Sequence, residues 1–243
     1  MKQRIDHLLI QRGLFDTRAR AKAAIEAGLV TANGAVVKKP SEQVADDAVL
    51  TAEAAHRFVG RGALKLDHAL TLWPVLVQGR TVLDVGASTG GFTEVCLERG
   101  AARVFAVDVG QGQLHTRIAC DPRVVDLEKT DARDLTPDLI PDPPGLIVCD
   151  ASFISLTKVL PAALSLAAPD ADLVTLVKPQ FEMDSRKDVG RGGVVRDAEA
   201  RQATLDRVVA WLEGEGWTVR QTAESPIAGG DGNLEFLVWA SRA

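Results

Sequence analysis

An apolar strand that ends in an acid and runs straight into a glycine-rich turn leaves a chain few ways to fold. Thr81-Val82-Leu83-Asp84-Val85 is such a strand, and Gly86-Ala87-Ser88-Thr89-Gly90-Gly91-Phe92 is its turn. A helix follows through Thr93-Glu94-Val95-Cys96-Leu97-Glu98. Glycines at 86, 90 and 91 let the backbone turn tightly and let a ligand approach it closely. The helix that begins there presents unpaired N–H groups.

Two common ligands are excluded by the residues themselves. A phosphate-cradling loop needs Lys and then Ser or Thr after its last glycine, whereas Phe92 follows Gly91. The dinucleotide fingerprint Gly-x-Gly-x-x-Gly is broken at Gly86-Ala87-Ser88. A looser turn without a phosphate handle suits a nucleoside ligand such as S-adenosylmethionine. Asp84, Gly86, Ala87, Ser88, Gly90, Gly91 and Phe92 are then candidate cofactor contacts. The competing reading is a turn that only packs.

Acids recur at the ends of the strands that follow. Val104 to Val109 is a second buried strand carrying Asp108, where an acid bonds the ribose hydroxyls of a nucleotide-like ligand. Val124 to Glu128 is the candidate third strand. Asp131 follows it, either as acceptor for the adenine amine or as a helix N-cap. Leu146-Ile147-Val148-Cys149-Asp150 is a fourth strand, and Asp172 to Val177 is a fifth that delivers Lys178 at its end. Ligands bind in the crevice outside such carboxyl ends. Arg186 to Asp197 is glycine-rich and basic and reads as a mobile loop near the site. Ala198 to Glu213 is an amphipathic helix stopped at Gly214. The strands Thr218 to Ala223 and Leu234 to Trp239 return through a Gly/Asp-rich loop, which puts an antiparallel strand at the sheet edge. The expectation for 62–243 is an α/β, doubly wound, Rossmann-like seven-stranded sheet with that antiparallel edge strand.

The first part of the chain differs in character. Net charge over 243 residues is −5, yet residues 1–39 hold eight Lys and Arg against three acids. A basic end on an acidic chain points to a polyanionic partner. Asp6 to Arg12 reads as a short helix ended by Gly13, and Thr17 caps a second helix to Ala27. Leu29-Val30-Thr31 and Ala35-Val36-Val37 flank the tight turn Asn33-Gly34, and Val49-Leu50-Thr51 is a third short strand. This is a small α+β domain over 1–55, with 56–61 as linker. Cys96, Cys120 and Cys149 have no CxxC spacing, so neither disulfide framework nor zinc site is indicated. No metal is expected, and a reduced, cytoplasmic setting follows. The charged N-terminus is no signal peptide, and no run has the ~18 apolar residues of a membrane span. A monomer is the expected state.

Residues 1–55 resemble the alpha-L RNA-binding motif of ribosomal protein four of the small subunit. The resemblance rests on Arg4-Ile5-Asp6, Arg12-Gly13, Thr17-Arg18-Ala19-Arg20-Ala21, Ile25, Gly28-Leu29-Val30, Asn33-Gly34 and Lys38-Lys39-Pro40. It implies an RNA-facing set of Arg4, Arg18, Arg20, Lys22, Lys38 and Lys39, to which Arg57 of the linker is added. Lys and Arg there neutralise phosphates and release counterions.

Four stretches together resemble the TlyA-type ribosomal RNA methyltransferases, which join that motif to an FtsJ/RrmJ-like domain. They are Asp84 to Thr93, Asp150-Ala151-Ser152-Phe153-Ile154-Ser155-Leu156, Lys178-Pro179-Gln180-Phe181-Glu182 and Gly232-Asn233-Leu234-Glu235-Phe236. The resemblance implies S-adenosylmethionine-dependent methylation of a ribose 2'-hydroxyl in ribosomal RNA or ribosomal subunits. It also implies a Lys-Asp-Lys-Glu tetrad at Lys65, Asp150, Lys178 and Glu235. Some members are named haemolysins.

The chemistry agrees. A 2'-hydroxyl is a poor nucleophile and must lose its proton as the new bond forms. Free Lys titrates near ~10.4, and a second cation close by lowers that value. Lys178 is the expected base, Lys65 the second cation and Asp150 the orienter. Rival readings lack their marks. A base methyltransferase would more often show Asn-Pro-Pro-aromatic or a catalytic Cys, and Cys149 lies in buried strand sequence. A dehydrogenase needs the missing pyrophosphate fingerprint, and a pore-former needs membrane-active segments.

Overall fold

The computed structural model describes residues 2–183, 189 and 192–242. The chain divides into two compact units, Met1–Arg61 and Gly62–Ala243. The expected linker 56–61 falls with the first unit.

In the first unit, β1 (Lys2–Arg4) leads into α1 (Ile5–Gln11), and α2 (Arg18–Glu26) follows. Thr17 caps α2, its side chain accepting from Arg20 N at 3.3 Å. Then come β2 (Val30–Ala32), β3 (Ala35–Val36), β4 (Gln43–Ala45) and β5 (Leu50–Ala52). β2 is central in the sheet β3-β2-β5, and Asn33 and Gly34 take positive φ at the hairpin turn. Ile5, Leu8, Leu9, Ala24, Ile25 and Val30 form the core. The pairing of β1 with β4 was not expected. Both strands are three residues long and carry no alternating pattern, so periodicity had nothing to report.

The second unit opens with α3 (Ala63–Leu72), then β6 (Thr81–Val85), α4 (Gly91–Glu98), β7 (Arg103–Val107), α5 (Thr116–Ala119) and β8 (Val124–Leu127). It continues with β9 (Leu146–Cys149), α6 (Leu156–Val159), α7 (Pro161–Ser165), β10 (Asp172–Val177) and α8 (Pro179–Glu182). α9 (Ala198–Gly214), β11 (Trp217–Glu224) and β12 (Phe236–Arg242) complete it. The seven strands lie in the order β11-β12-β10-β9-β6-β7-β8. β9 and β10 are buried along their whole length, as strands covered on both faces must be.

The antiparallel pairings sit at one edge. The reversed strand β12 lies one place in, between β10 and β11, and β11 forms the rim. The left-handed residue after α9 is Gly216, two positions beyond the expected stop at Gly214. Glu235 stands just before β12 rather than opening it.

Strand order decides where a ligand can sit. From β6 the chain builds outward through β7 and β8, while β9 and β10 build the other way. The order therefore reverses between β6 and β9, and a crevice opens at their carboxyl ends. Val85 pairs with Cys149 there, so Gly86 and Asp150 emerge side by side.

Candidate active site

Beyond that reversal lies a cavity of about 560 Å³. Its wall includes Gly86, Ser88, Asp108, Asp131, Asp150, Ser152 and Phe153. Gly86 has φ 84°, and a Cβ there would stand 3.0 Å from the Ala151 Cα. Only glycine satisfies both conditions. Gly90, at φ 90°, would place a Cβ 2.8 Å from Leu114 Cδ1.

Asp108 accepts from Ser88 N at 2.8 Å and from Gly110 N at 2.7 Å, which stiffens the turn. Each carboxylate oxygen keeps a further lone pair for a ligand. Asp131 caps a single 3₁₀ turn, Ala132–Asp134, and holds Arg133 through its guanidinium, which keeps its own pKa low. It is thus the N-cap the sequence allowed, and it also lines the cavity. The remaining cofactor candidates, Asp84, Ala87, Gly90, Gly91 and Phe92, are not among the lining residues. They are buried. Asp84 is fully buried, with Oδ2 accepting from Thr93 Oγ1 at 2.6 Å. Burial pushes its pKa up to about 7.

The four residues of the expected tetrad come together from distant parts of the chain. Lys65 on α3 reaches Glu235 at 2.5 Å, and both side chains are buried. Lys178, at the end of β10, lies 2.6 Å from Asp150 Oδ1. Asp150 also stands 4.0 Å from Lys65, so one carboxylate faces both ammonium groups. Two glycines make room for the acids. A Cβ on Gly62 would lie 3.0 Å from Asp150 Oδ2, and one on Gly229 would lie 2.3 Å from Glu235 Oε1.

Several neighbours were quoted in the sequence motifs but given no role. Lys178 Nζ donates to Ser152 Oγ at 2.8 Å and to the Asp150 carbonyl at 3.1 Å. Glu182 accepts from Ser155 Oγ and from Leu156 N, tying the start of α6 to α8. Phe181 packs its ring 5.1 Å from that of Phe153. Phe153 is 88% exposed and sits at φ 66°, a rare conformation for a bulky residue. Asn233 is fully buried and fixes the backbone of Gly193 and Val195. The first signal for these residues was their place within the motifs; their partners required the fold. Of the basic loop Arg186 to Asp197, residues 186–188, 190 and 191 lie outside the described residues. Cys149 is buried, and desolvation pushes its thiol up to about 12, so it is no nucleophile.

In the first unit, the RNA-facing candidates divide. Arg4 and Arg18 both bind Asp6, at 2.9 and 3.0 Å, and hold its carboxyl far below the usual range. Arg20 pairs with Asp16 at 3.0 Å and Lys22 with Glu26 at 3.6 Å. Lys38 and Lys39 are exposed just after β3. The Arg57 guanidinium lies 4.3 Å over the Phe58 ring.

Comparison with known proteins agrees with this architecture. The family model described as S4 domain matches residues 3–50, and the one described as FtsJ-like methyltransferase matches residues 58–242. The 16S/23S rRNA (cytidine-2'-O)-methyltransferase TlyA of Mycobacterium tuberculosis is 46% identical over 98% of this chain and 89% of its own. Hemolysin A of Brachyspira hyodysenteriae is 36% identical over 96% of this chain and 98% of its own. A solved structure from Streptococcus thermophilus, named a hemolysin, is 40% identical with a TM-score of 0.80, covering 100% of this chain and 89% of that one. With a family model matched along most of its length and relatives covering nearly all of it, the chain belongs to the FtsJ-like methyltransferase family and carries an S4 domain at its start.

Proposed function

We propose that the chain methylates a ribose 2'-hydroxyl of ribosomal RNA in the cytoplasm, cytidine being the nucleotide in the name of its relative TlyA. The methyl donor is S-adenosylmethionine. The observation that carries the reading is the pair of buried lysines meeting at Asp150 beside a cavity walled by glycine and acids.

The residues present fit that donor. Asp108 stands in the cavity wall where an acid bonds the ribose hydroxyls of a nucleoside ligand, and glycine at 86 lets the turn pass close against the Ala151 backbone beside it. The donor supplies a methyl group already activated on sulfur, so transfer mainly requires alignment. This chain must then hold the ribose and accept its proton. Lys178 is the base, and Asp150 orients it. Lys65, anchored by Glu235, is the second cation near the developing oxyanion. Exposed Phe153 offers a face on which the target base stacks. The S4 domain holds the RNA through Lys and Arg, Lys38 and Lys39 foremost.

The test is tritiated methyl transfer to ribosomal subunits that lack their native modification, followed by alkaline hydrolysis. A methylated 2'-hydroxyl cannot attack its phosphate, so label is expected in alkali-resistant dinucleotides. Label confined to mononucleotides would refute ribose methylation. Lys178→Met is expected to abolish transfer while the donor still binds.

A further inference from the structure

Lys178 does not line the cavity. Its side chain is 8% exposed, whereas Ser152, which accepts its hydrogen bond, is exposed and forms part of the cavity wall. A substrate hydroxyl entering the cavity meets Ser152 before it meets Nζ. The three oxygens around Nζ also differ in kind. Asp150 Oδ1 stands 2.6 Å away as an ion-pair partner and the Asp150 carbonyl accepts a hydrogen bond at 3.1 Å; neither oxygen can donate. The Ser152 hydroxyl, at 2.8 Å, is the one oxygen of the three that also donates. A lysine must be unprotonated to act as a base, and its lone pair then needs a donor. Of these three groups, Ser152 alone supplies one.

We propose that Ser152 is a catalytic residue that relays the proton from the ribose 2'-hydroxyl to Lys178. This rests on the reading of Lys178 as the base. In the step, the ribose O–H bond breaks and its proton goes to Ser152 Oγ, while the proton already on Oγ passes to neutral Nζ. The ribose oxygen forms its bond to the methyl carbon as the methyl–sulfur bond breaks and leaves its electron pair on sulfur. Serine ends neutral, lysine ends as ammonium and the sulfonium ends as a thioether, so the single positive charge is conserved. The position of the residue fits its role. Ser152 lies between Asp150, which holds Nζ, and Phe153, which faces solvent beside the same cavity.

The experiment compares Ser152→Ala, Ser152→Thr and Lys178→Met in the full chain. It measures single-turnover methyl transfer to unmodified ribosomal subunits, S-adenosylmethionine binding by equilibrium dialysis, and the rate in mixtures of light and heavy water. For Ser152→Ala the rate at saturating substrate is expected to fall roughly 100-fold or more, with donor affinity within about twofold of wild type. Threonine, which keeps the hydroxyl, is expected to restore most of the rate. The wild-type rate should bend with deuterium fraction because two protons move together, and a straight dependence would overturn the relay. Full-speed transfer by Ser152→Ala would overturn it too, as would a loss seen only as weaker donor binding. If Ser152→Ala is fast and Lys178→Met is dead, the relay fails and Lys178 remains the base. If both are fast, the reading of the site fails with it.

Discussion

Removing Glu235 while leaving Lys65 should cost far more stability than removing both. The two side chains are 3% and 8% exposed and stand 2.5 Å apart. Glu235→Ala leaves an ammonium in a place almost closed to water. Breaking a buried pair from one side costs about 3–5 kcal/mol. Asp150 remains 4.0 Å from Lys65 and carries part of the compensation, which puts the loss at the lower end, about 3 kcal/mol. In the double variant Lys65→Met, Glu235→Leu no charge is stranded, and similar volume is kept. Its stability should lie within about 1 kcal/mol of wild type or above it. Urea unfolding followed by tryptophan fluorescence reads this cleanly, because Trp73, Trp211, Trp217 and Trp239 all lie in the second unit. In a thermal scan the single variant should melt about 6–12 °C lower, at roughly 2–4 °C per kcal/mol for a unit of this size. Both variants should be inactive. A loss under about 1 kcal/mol for Glu235→Ala, or an equal loss in the double variant, would refute the view of the pair as a desolvated ion pair.

Asp84 should make the second unit less stable as pH rises. Its folded pKa is near 7 against 3.8 in the free residue, so the folded state holds a proton that the unfolded chain has released. This contribution is complete below about pH 4 and is lost as pH climbs through 7, on the order of 4 kcal/mol in all. Asp84→Asn keeps an acceptor for Thr93 and should flatten the curve between those limits; an unchanged slope in urea titrations across pH would rule out Asp84 as its source. Gly229→Ala should slow methyl transfer with little change in donor affinity, because its Cβ would stand 2.3 Å from Glu235 Oε1 and force the carboxylate off Lys65. Normal turnover would show that Glu235 does not need that position. Lys38→Ala with Lys39→Ala should weaken RNA binding and reduce its salt slope by ~0.7–0.9 per lost phosphate contact. An unchanged slope would place the RNA elsewhere.

The buried strands of the large sheet, and four charged residues that close them, were legible for one physical reason. Buried parallel strands read as unbroken apolar runs, and an acid or lysine closing such a run stands out. Asp84, Asp108, Asp150 and Lys178 were all found in that way. Lys65 was different, since a lysine on a helix looks solvated. Only the resemblance singled it out, and its burial against Glu235 comes from packing between α3 and the last strand's approach. The β1–β4 pairing stayed hidden because three-residue strands carry no period. Ser152, Glu182 and Asn233 stayed without roles because a hydroxyl, an exposed-looking acid and an amide acquire meaning only from their partners. Those partners lie 26, 27 and 38 residues away.

The same contrast explains how the site is built. Each lysine is delivered by a different element, Lys65 by α3 and Lys178 by β10, and neither element would hold an ammonium unaided. The carboxylates arrive from two others, Asp150 after β9 and Glu235 before β12. Placing Glu235 therefore requires a strand beside β10 whose start lies at the carboxyl ends of its neighbours. A parallel strand begins at the opposite end of the sheet, so the strand must be reversed. β12 is that strand: Phe236 pairs with Val177, one residue before Lys178. The departure from a purely parallel sheet is thus what brings the fourth charge to the crevice, and the rim strand β11 closes the edge that β12 would otherwise expose.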